Sequence, residues 1–133
     1  MTEPVPHFHD GYVTGLSLRE RAAAIYLQDV VGSDYELVLD GLEALQIDDF
    51  REGNIISNVE IITGRTPDAD TDFDRLFVPP HPSAATQYQE AHALLMKRQI
   101  ARIESGETCL VVIVPSLGAD LLAICQGVLC RPV

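Results

Sequence analysis

The chain has 133 residues, of which 47% are hydrophobic and 22% are charged, and this balance excludes a disordered chain and predicts one folded domain over residues 1–133. Its formal net charge of -11 repels phosphate backbones and anionic membrane surfaces, so nucleic acid and membranes are excluded as expected partners. A basic protein partner would be attracted by the same charge, although acidic surfaces also occur on cytosolic proteins that have no basic partner.

The cysteines and the start of the chain bear on the cellular compartment. Cys109, Cys125 and Cys130 are too few for a disulfide scaffold and form no Cys-x-x-Cys motif, which favours a reducing compartment. The first ten residues include the acidic Glu3 and lack the basic and apolar regions of a secretory signal. We therefore expect a cytoplasmic protein.

The first third of the chain predicts a run of short antiparallel strands. Strand-compatible residues occupy Tyr12–Leu18 and Ala22–Leu27, and the cluster Gly32–Asp34 predicts a turn. Tyr35–Leu39 then alternates apolar and polar residues, as expected for a strand with one face on the core. Gly41–Phe50 follows neither a two-residue nor a helical period, and it predicts a short irregular link.

A strand and an acidic loop are predicted in the middle of the chain. Ile55–Ile62 is bounded by glycine and proline, and it is the clearest strand of the first half. Aspartates alternate from Asp68 to Asp74 as at the start of a calcium-binding loop. Phe73 stands where that loop needs glycine and Pro79 where it needs glutamate, so a solvated acidic loop is favoured.

One long helix is predicted near residues 84–105, after three closely spaced prolines. Ser83 or Thr86 can cap its start, Thr86 and Gln89 match a capping box, and Gly106 suits its end. Four apolar residues share one face at helical spacing: Tyr88, Leu95, Met96 and Ile103.

The end of the chain predicts two strands that are buried at the centre of the sheet. Cys109–Val114 and Leu121–Leu129 are the most apolar segments, and the turn residues Pro115 and Gly118 argue against one membrane-spanning helix there. The expected fold class is therefore α+β. It consists of a mainly antiparallel sheet of about six to seven strands, arranged as a sandwich or a partly open barrel, with the one long helix.

A metal site is the main chemical alternative in the sequence. His7 and His9 are two residues apart, so on an extended segment their imidazoles point the same way, and Asp10 adds a carboxylate. His81 or His92 would have to complete the site, which would make the protein a small metal-dependent enzyme. We favour a surface histidine pair, because no metal-binding motif of known spacing is present.

A loose resemblance runs through the first half of the chain and the final hairpin. His9-Asp10-Gly11-Tyr12 leads into strands, and it is followed by Leu39-Asp40-Gly41-Leu42, by Phe50 and by Asn54-Ile55-Ile56. This pattern resembles one found in small bacterial proteins, some of which are grouped with immunity proteins of toxin systems. The resemblance implies a compact β-rich domain without catalytic residues that works by binding, and its acidic charge would suit a basic toxin. The acidic loop and the long helix depart from the pattern.

The favoured function is therefore a non-catalytic, immunity-like protein-binding domain that needs no cofactor. The mean hydropathy of +0.11 and the two very apolar final strands indicate surface to be hidden from water, so a homodimer is also expected. The alternative is the metal-dependent enzyme built on His7, His9, Asp10 and His81.

Overall fold

The computed structural model of the protein describes residues 5–67 and 73–133. Within these ranges it contains one antiparallel sheet of eight strands, a short 3-10 helix and one long α-helix, which confirms the predicted α+β class. None of the helices in the described ranges is long and apolar enough to cross a membrane. The elements are β1 Tyr12–Arg19, β2 Ala22–Gln28, β3 Asp34–Asp40, β4 Ala44–Asp48, β5 Asn54–Ile62, the 3-10 helix Phe73–Arg75, α1 Thr86–Glu104, β6 Cys109–Leu117, β7 Asp120–Cys125 and β8 Gly127–Pro132.

The strand order is β4-β7-β6-β5-β1-β2-β3-β8. The count exceeds the prediction for two reasons. Ala44–Asp48, expected to be part of an irregular link, pairs with β7 as the short edge strand β4. The predicted last strand is divided at Gln126 into β7 and β8. The connection between β6 and β7 also lies later than the turn predicted from Pro115, because β6 continues through Leu117.

The sheet is strongly curled. Each end strand follows a strand from the opposite end of the order along the chain: β4 follows β3, and β8 follows β7. The β3–β8 ladder, which ends where Asp40 faces Gly127, is therefore continued by the β4–β7 ladder, which begins where Ala44 faces Ile124. Between the ladders the Gln126 amide donates to the Asp40 carbonyl over 2.9 Å, and the Glu43 amide donates to the Ile124 carbonyl over 2.8 Å. This curl corresponds to the partly open barrel among the predicted arrangements.

The inner face of the curled sheet encloses the main core. Phe8, from the segment before β1, is 2% exposed and meets the Tyr35 ring edge-on at 5.3 Å, so the N-terminal segment is anchored in this core. The other buried members come from every strand except β4: Val13, Ala23, Ile25, Leu27, Leu37, Leu39, Ile56, Cys109, Val111, Ile113, Leu121, Ala123, Cys125 and Val128.

A second buried cluster lies between the outer face of the sheet and α1. Leu110, Leu122 and Ile124 point outward from β6 and β7, and Ile103 of α1 covers them. Both faces of β6 and β7 are thus buried, as predicted, which explains their nearly unbroken apolar sequence. In the strand order, however, β7 is second and β6 is third from one end, so the predicted position at the centre of the sheet is wrong. β8 lies at the other end of the strand order.

The ends of α1 follow the prediction only in part. Gly106, with a φ of 83°, donates its amide to the Ile103 carbonyl over 3.1 Å, as expected for a glycine helix exit. The predicted capping box is wrong, because Thr86 is already helical and the preceding Ala85 offers no side-chain cap. Gln89 instead donates its side-chain amide to the His81 carbonyl over 2.8 Å.

The buried face of α1 also differs from the prediction. Tyr88 is 58% exposed, whereas Gln99 and Ile103 are buried. The predicted face is therefore correct at Ile103, which belongs to the cluster on the outer face of the sheet, and wrong at Tyr88, which lies outside that cluster.

Arg102 fastens the end of α1 to the sheet. Its Nη1 and Nη2 donate to the two carboxylate oxygens of Glu43, over 2.5 Å and 2.7 Å, and its Nε donates to Glu107 over 3.0 Å. The side chains of Arg102 and Glu43 are 21% and 22% exposed. The hydrogen bonds from Arg102 lower the pKa of Glu43 against the opposing effect of burial.

We expect this pair to make stability depend on pH. Because the folded pKa of Glu43 lies below its ordinary value of 4.5, the stabilisation is fully present above that value and is lost as the pH falls through the lowered pKa. Glu43→Gln should destabilise the protein by about 1 kcal/mol at pH 7. Urea unfolding from pH 7 to pH 2.5 should show this difference shrinking below about pH 4.5. Glu90→Gln, at an exposed position on α1, should show no such convergence.

Candidate functional site

The N-terminal histidines lie beside the start of β1. The Nδ1 of His9 is 2.9 Å from the Ser57 carbonyl, so this nitrogen carries the proton and donates. Its Nε2 is 3.6 Å from the Asp10 carboxylate, and the His7 and His9 rings are 6.2 Å apart. His7, His9 and Asp10 are therefore neighbours on an exposed segment that Phe8 holds to the core.

His81, the fourth predicted ligand, interacts within its own segment. Its Nδ1 is 2.6 Å from the Ser83 hydroxyl, while His92 forms a 2.9 Å hydrogen bond with the Phe77 carbonyl. Residues 5–67 and 73–133 contain no group of three or more His, Cys, Asp or Glu side chains placed to hold a metal ion. Most of the predicted calcium-like aspartates, Asp68 to Asp72, lie outside the described residues.

Two of the three cysteines face each other inside the main core. Cys109 of β6 and Cys125 of β7 are directly paired, their sulfur atoms are 3.6 Å apart, and the side chains are 1% and 0% exposed. The hydrogen bond with Cys109 and burial both raise the pKa of Cys125. A buried thiol with a raised pKa is a poor nucleophile, so these cysteines serve as small packing residues, as the sequence predicts.

An exposed apolar surface spans three neighbouring strands. Tyr12 of β1 faces Ile55 of β5, and Ile55 faces Leu117 of β6, so the three side chains form one row across the outer face. Phe50, from the turn before β5, joins Tyr12 in lining a shallow depression of about 540 Å³. Tyr12, Phe50 and Leu117 are each between 41% and 46% exposed. We call Tyr12, Phe50, Ile55 and Leu117 the apolar shelf.

Asn54 holds the apolar shelf in place. It is 1% exposed, and its side-chain oxygen accepts hydrogen bonds from the amides of Arg51 and Ala119, over 2.8 Å and 2.9 Å. Its side-chain nitrogen donates to the Val13 carbonyl over 3.2 Å. One buried side chain therefore joins the strands that carry Tyr12 and Ile55 to the turn before β5 and the turn before β7.

Gly11 brings the N-terminal segment close to β2. A methyl group at this position would lie 2.3 Å from the Gln28 carbonyl oxygen and 3.0 Å from the Phe8 carbonyl oxygen. Its own carbonyl accepts a 2.8 Å hydrogen bond from the Ile56 amide. Glycine is required here for space, and the close approach fixes where β1 begins and where Tyr12 emerges.

Charged residues border the apolar shelf. Arg51 and Asp49 form a 2.5 Å ion pair, so their charges largely compensate each other. Glu52 also lines the depression and makes no ion pair with any residue in the described parts of the chain. An apolar centre with an acidic edge is therefore presented on a chain of net charge -11.

The apolar shelf is absent from the sequence-based candidates. Its four residues come from three strands and a turn, and only the register places them side by side. Comparison of the chain with protein-family models, with curated proteins and with solved structures gives no match in any of the three. The resemblance to immunity proteins thus stays a prediction.

Proposed function

We propose that the protein is a non-catalytic protein-binding domain, of the immunity-like kind, that docks a partner on the apolar shelf. The observation that carries the proposal is the row Tyr12–Ile55–Leu117 with Phe50 beside it, uncovered on an acidic protein. Exposed apolar groups next to one another mark interaction surfaces more often than isolated ones do. Tyrosine and phenylalanine are also enriched at the centres of protein interfaces.

Charge favours a basic partner over a second copy of the chain. Two copies carrying -11 each repel, whereas a partner with basic residues around an apolar centre is attracted over a long range. Glu52 at the edge of the shelf supplies a local carboxylate for such a partner. The three cysteines suit a reducing compartment, and we propose the cytoplasm as the place of binding.

Leu117→Glu should abolish partner binding. A carboxylate at the β6 end of the shelf would replace apolar contact by a charge that the interface desolvates, which costs at least tenfold in affinity, or about 1.4 kcal/mol. The matched control is Leu94→Glu, because Leu94 is 59% exposed on α1. Affinity capture from an extract of the source organism, quantified by mass spectrometry, should find a protein retained by the wild type and by Leu94→Glu and lost with Leu117→Glu.

The captured protein is then purified and titrated calorimetrically. The proposal requires a basic protein whose Kd rises at least tenfold with Leu117→Glu and rises with salt concentration. Equal retention by both variants contradicts it. Light scattering tests the expected homodimer, since a mass near twice 14.6 kDa that Leu117→Glu halves would mean that a second copy occupies the shelf.

The metal-dependent enzyme has no comparable support. His7, His9 and Asp10 are neighbours, but in residues 5–67 and 73–133 neither they nor any other three His, Cys, Asp or Glu side chains are placed to hold a metal ion, and His81 bonds within its own segment.

A further inference from the structure

The outer face of β1, β2 and β3 carries a second concave surface, on the half of the sheet that α1 leaves uncovered. Its volume is about 350 Å³. Ala22 and Ala24 form the floor, because β2 contributes only methyl groups there between the taller side chains of its neighbours. Two strand spacings set a width of about 9–10 Å, and the two floor residues set a length of about 7 Å. We call this surface the alanine trough.

One end of the alanine trough is apolar. Tyr26, two residues beyond Ala24, leans over Gly15, where a methyl group would lie 3.6 Å from the tyrosine Cδ2. Val38 of β3 forms the side wall next to Ala24. Beside Tyr26, on β3 and β8, Glu36 and Arg131 are joined in an ion pair, so their charges compensate each other. An apolar group lying on the floor would therefore meet Ala24, Val38 and the tyrosine ring, with Ser17 of β1 on the remaining side of Ala24.

The other end presents two opposite charges. Arg19 faces Ala22 across the β1–β2 ladder, and Ala22 faces Asp40 across the β2–β3 ladder, so one cation and one anion flank the same floor residue. Within residues 5–67 and 73–133 neither Arg19 nor Asp40 makes an ion pair. The two strands that carry them lie two strand spacings apart, and the open floor between them admits a small ligand.

We propose that the alanine trough binds a small zwitterion of amino-acid size with an apolar side chain. The ligand carboxylate bonds to the Arg19 guanidinium, its ammonium group bonds to the Asp40 carboxylate, and its side chain lies over Ala24 against Tyr26. A simple anion would pair with Arg19 but face Asp40, and a simple cation would face the reverse conflict. A ligand with both charges and an apolar end matches Arg19, Asp40 and the apolar floor together, and the volume of the trough fits the usual range of ligand sites.

This inference is independent of the apolar shelf. Tyr12 begins β1 and Arg19 ends it, so the two surfaces lie at opposite ends of the same strand. Loss of partner binding at the shelf would leave the trough unaffected, and the converse also holds.

The test uses the full chain labelled with ¹⁵N and titrated with L-leucine, L-methionine and L-phenylalanine. We expect saturable amide shifts confined to residues 22–26 and their cross-strand neighbours. Two analogues of leucine remove one charge each, namely 4-methylpentanoate and 3-methylbutylamine. Each should bind at least tenfold more weakly than leucine. No saturable shift with any of the three amino acids up to about 10 mM, or equal binding of either analogue, would overturn the proposal.

Variants assign the roles of the walls. Arg19→Gln and Asp40→Asn should each weaken leucine binding at least tenfold, and Ala24→Leu should abolish it by filling the floor. The controls Arg98→Gln and Glu90→Gln, at exposed positions on α1, should leave the affinity unchanged. The amide spectrum of each variant reports whether it is folded. Folded Arg19→Gln and Asp40→Asn proteins that bind leucine as the wild type does would also contradict the proposal.

Discussion

Asn54→Ala is expected to lower the free energy of unfolding by about 3 kcal/mol. The substitution removes three hydrogen bonds of a buried side chain and leaves the amides of Arg51 and Ala119 and the Val13 carbonyl without that partner. A buried polar group that loses its partner costs about 1–3 kcal/mol, and neighbouring losses are only partly additive. We therefore expect the largest polar effect in the protein at this residue.

Urea unfolding followed by circular dichroism measures the effect, with Asn58→Ala as the matched control. Asn58 is the same residue type on the same strand, but it is exposed, so its loss should change the stability by less than about 0.5 kcal/mol. A destabilisation of Asn54→Ala as small as that of Asn58→Ala would show that Asn54 does not join the strands. The Tyr12 amide resonance should also shift in Asn54→Ala, because the Val13 pairing positions Tyr12 on the apolar shelf.

Gly11→Ala is expected to destabilise the protein by about 3 kcal/mol or more. The added methyl group would lie 2.3 Å from the Gln28 carbonyl oxygen, and the atoms around it belong to the backbone, which cannot rotate away as a side chain can. Relief requires the segment before β1 to move away from β2. Phe8 would then be pulled from the core, and the hydrogen bond from the Ile56 amide would be lost.

Gly127→Ala provides the matched control for Gly11→Ala. No atom lies within 4 Å of a methyl group built at Gly127, and its φ is not in the left-handed region. Its substitution should change stability by less than about 1 kcal/mol in either direction. Thermal unfolding of both variants distinguishes the steric effect from the general entropic effect of replacing glycine. Equal melting temperatures for the two variants would show that the segment before β1 can move to accommodate the methyl group without loss of stability.

Local patterns predict the fold well where one face of an element is buried. Tyr35–Leu39 alternates apolar and polar residues because β3 has one face on the core and one face outside, and the burial of β2 alternates in the same way although its sequence does not. The glycine at 106 marks the end of α1 for a conformational reason that is local to that residue. β4 is too short for a period to stand out from its neighbours, because Leu45 and Ile47 on the core face alternate only with Gln46 and Asp48, while Ala44 packs against the cluster under α1. Its strand character depends on pairing with β7, since Ala44 pairs with Ile124, 80 residues away, and Asp48 pairs with Asp120, 72 residues away.

The binding surfaces are much less predictable than the strands. The sequence draws attention to residues that are close along the chain, such as His7, His9 and Asp10. The apolar shelf and the alanine trough depend on strand register. Tyr12 and Leu117 lie in one row because both strands pair with β5 at Ile55, and Arg19 and Asp40 lie opposite each other because both strands pair with β2 at Ala22. A shift of one residue in one of these ladders would turn the side chains of the shifted strand to the other face and remove the surface to which they belong.

The two ends of α1 are buried to different extents, so they should unfold at different free energies. Its only buried side chains, among those described, are Gln99 and Ile103 near its C-terminal end, where Arg102 also binds Glu43. The side chains of its first turns are exposed or only partly buried, and the His92 side chain forms a hydrogen bond with the Phe77 carbonyl. The amide hydrogens at the start of α1 therefore exchange with solvent through local fraying, while those of its last turns and of β6 and β7 exchange only when the whole domain unfolds.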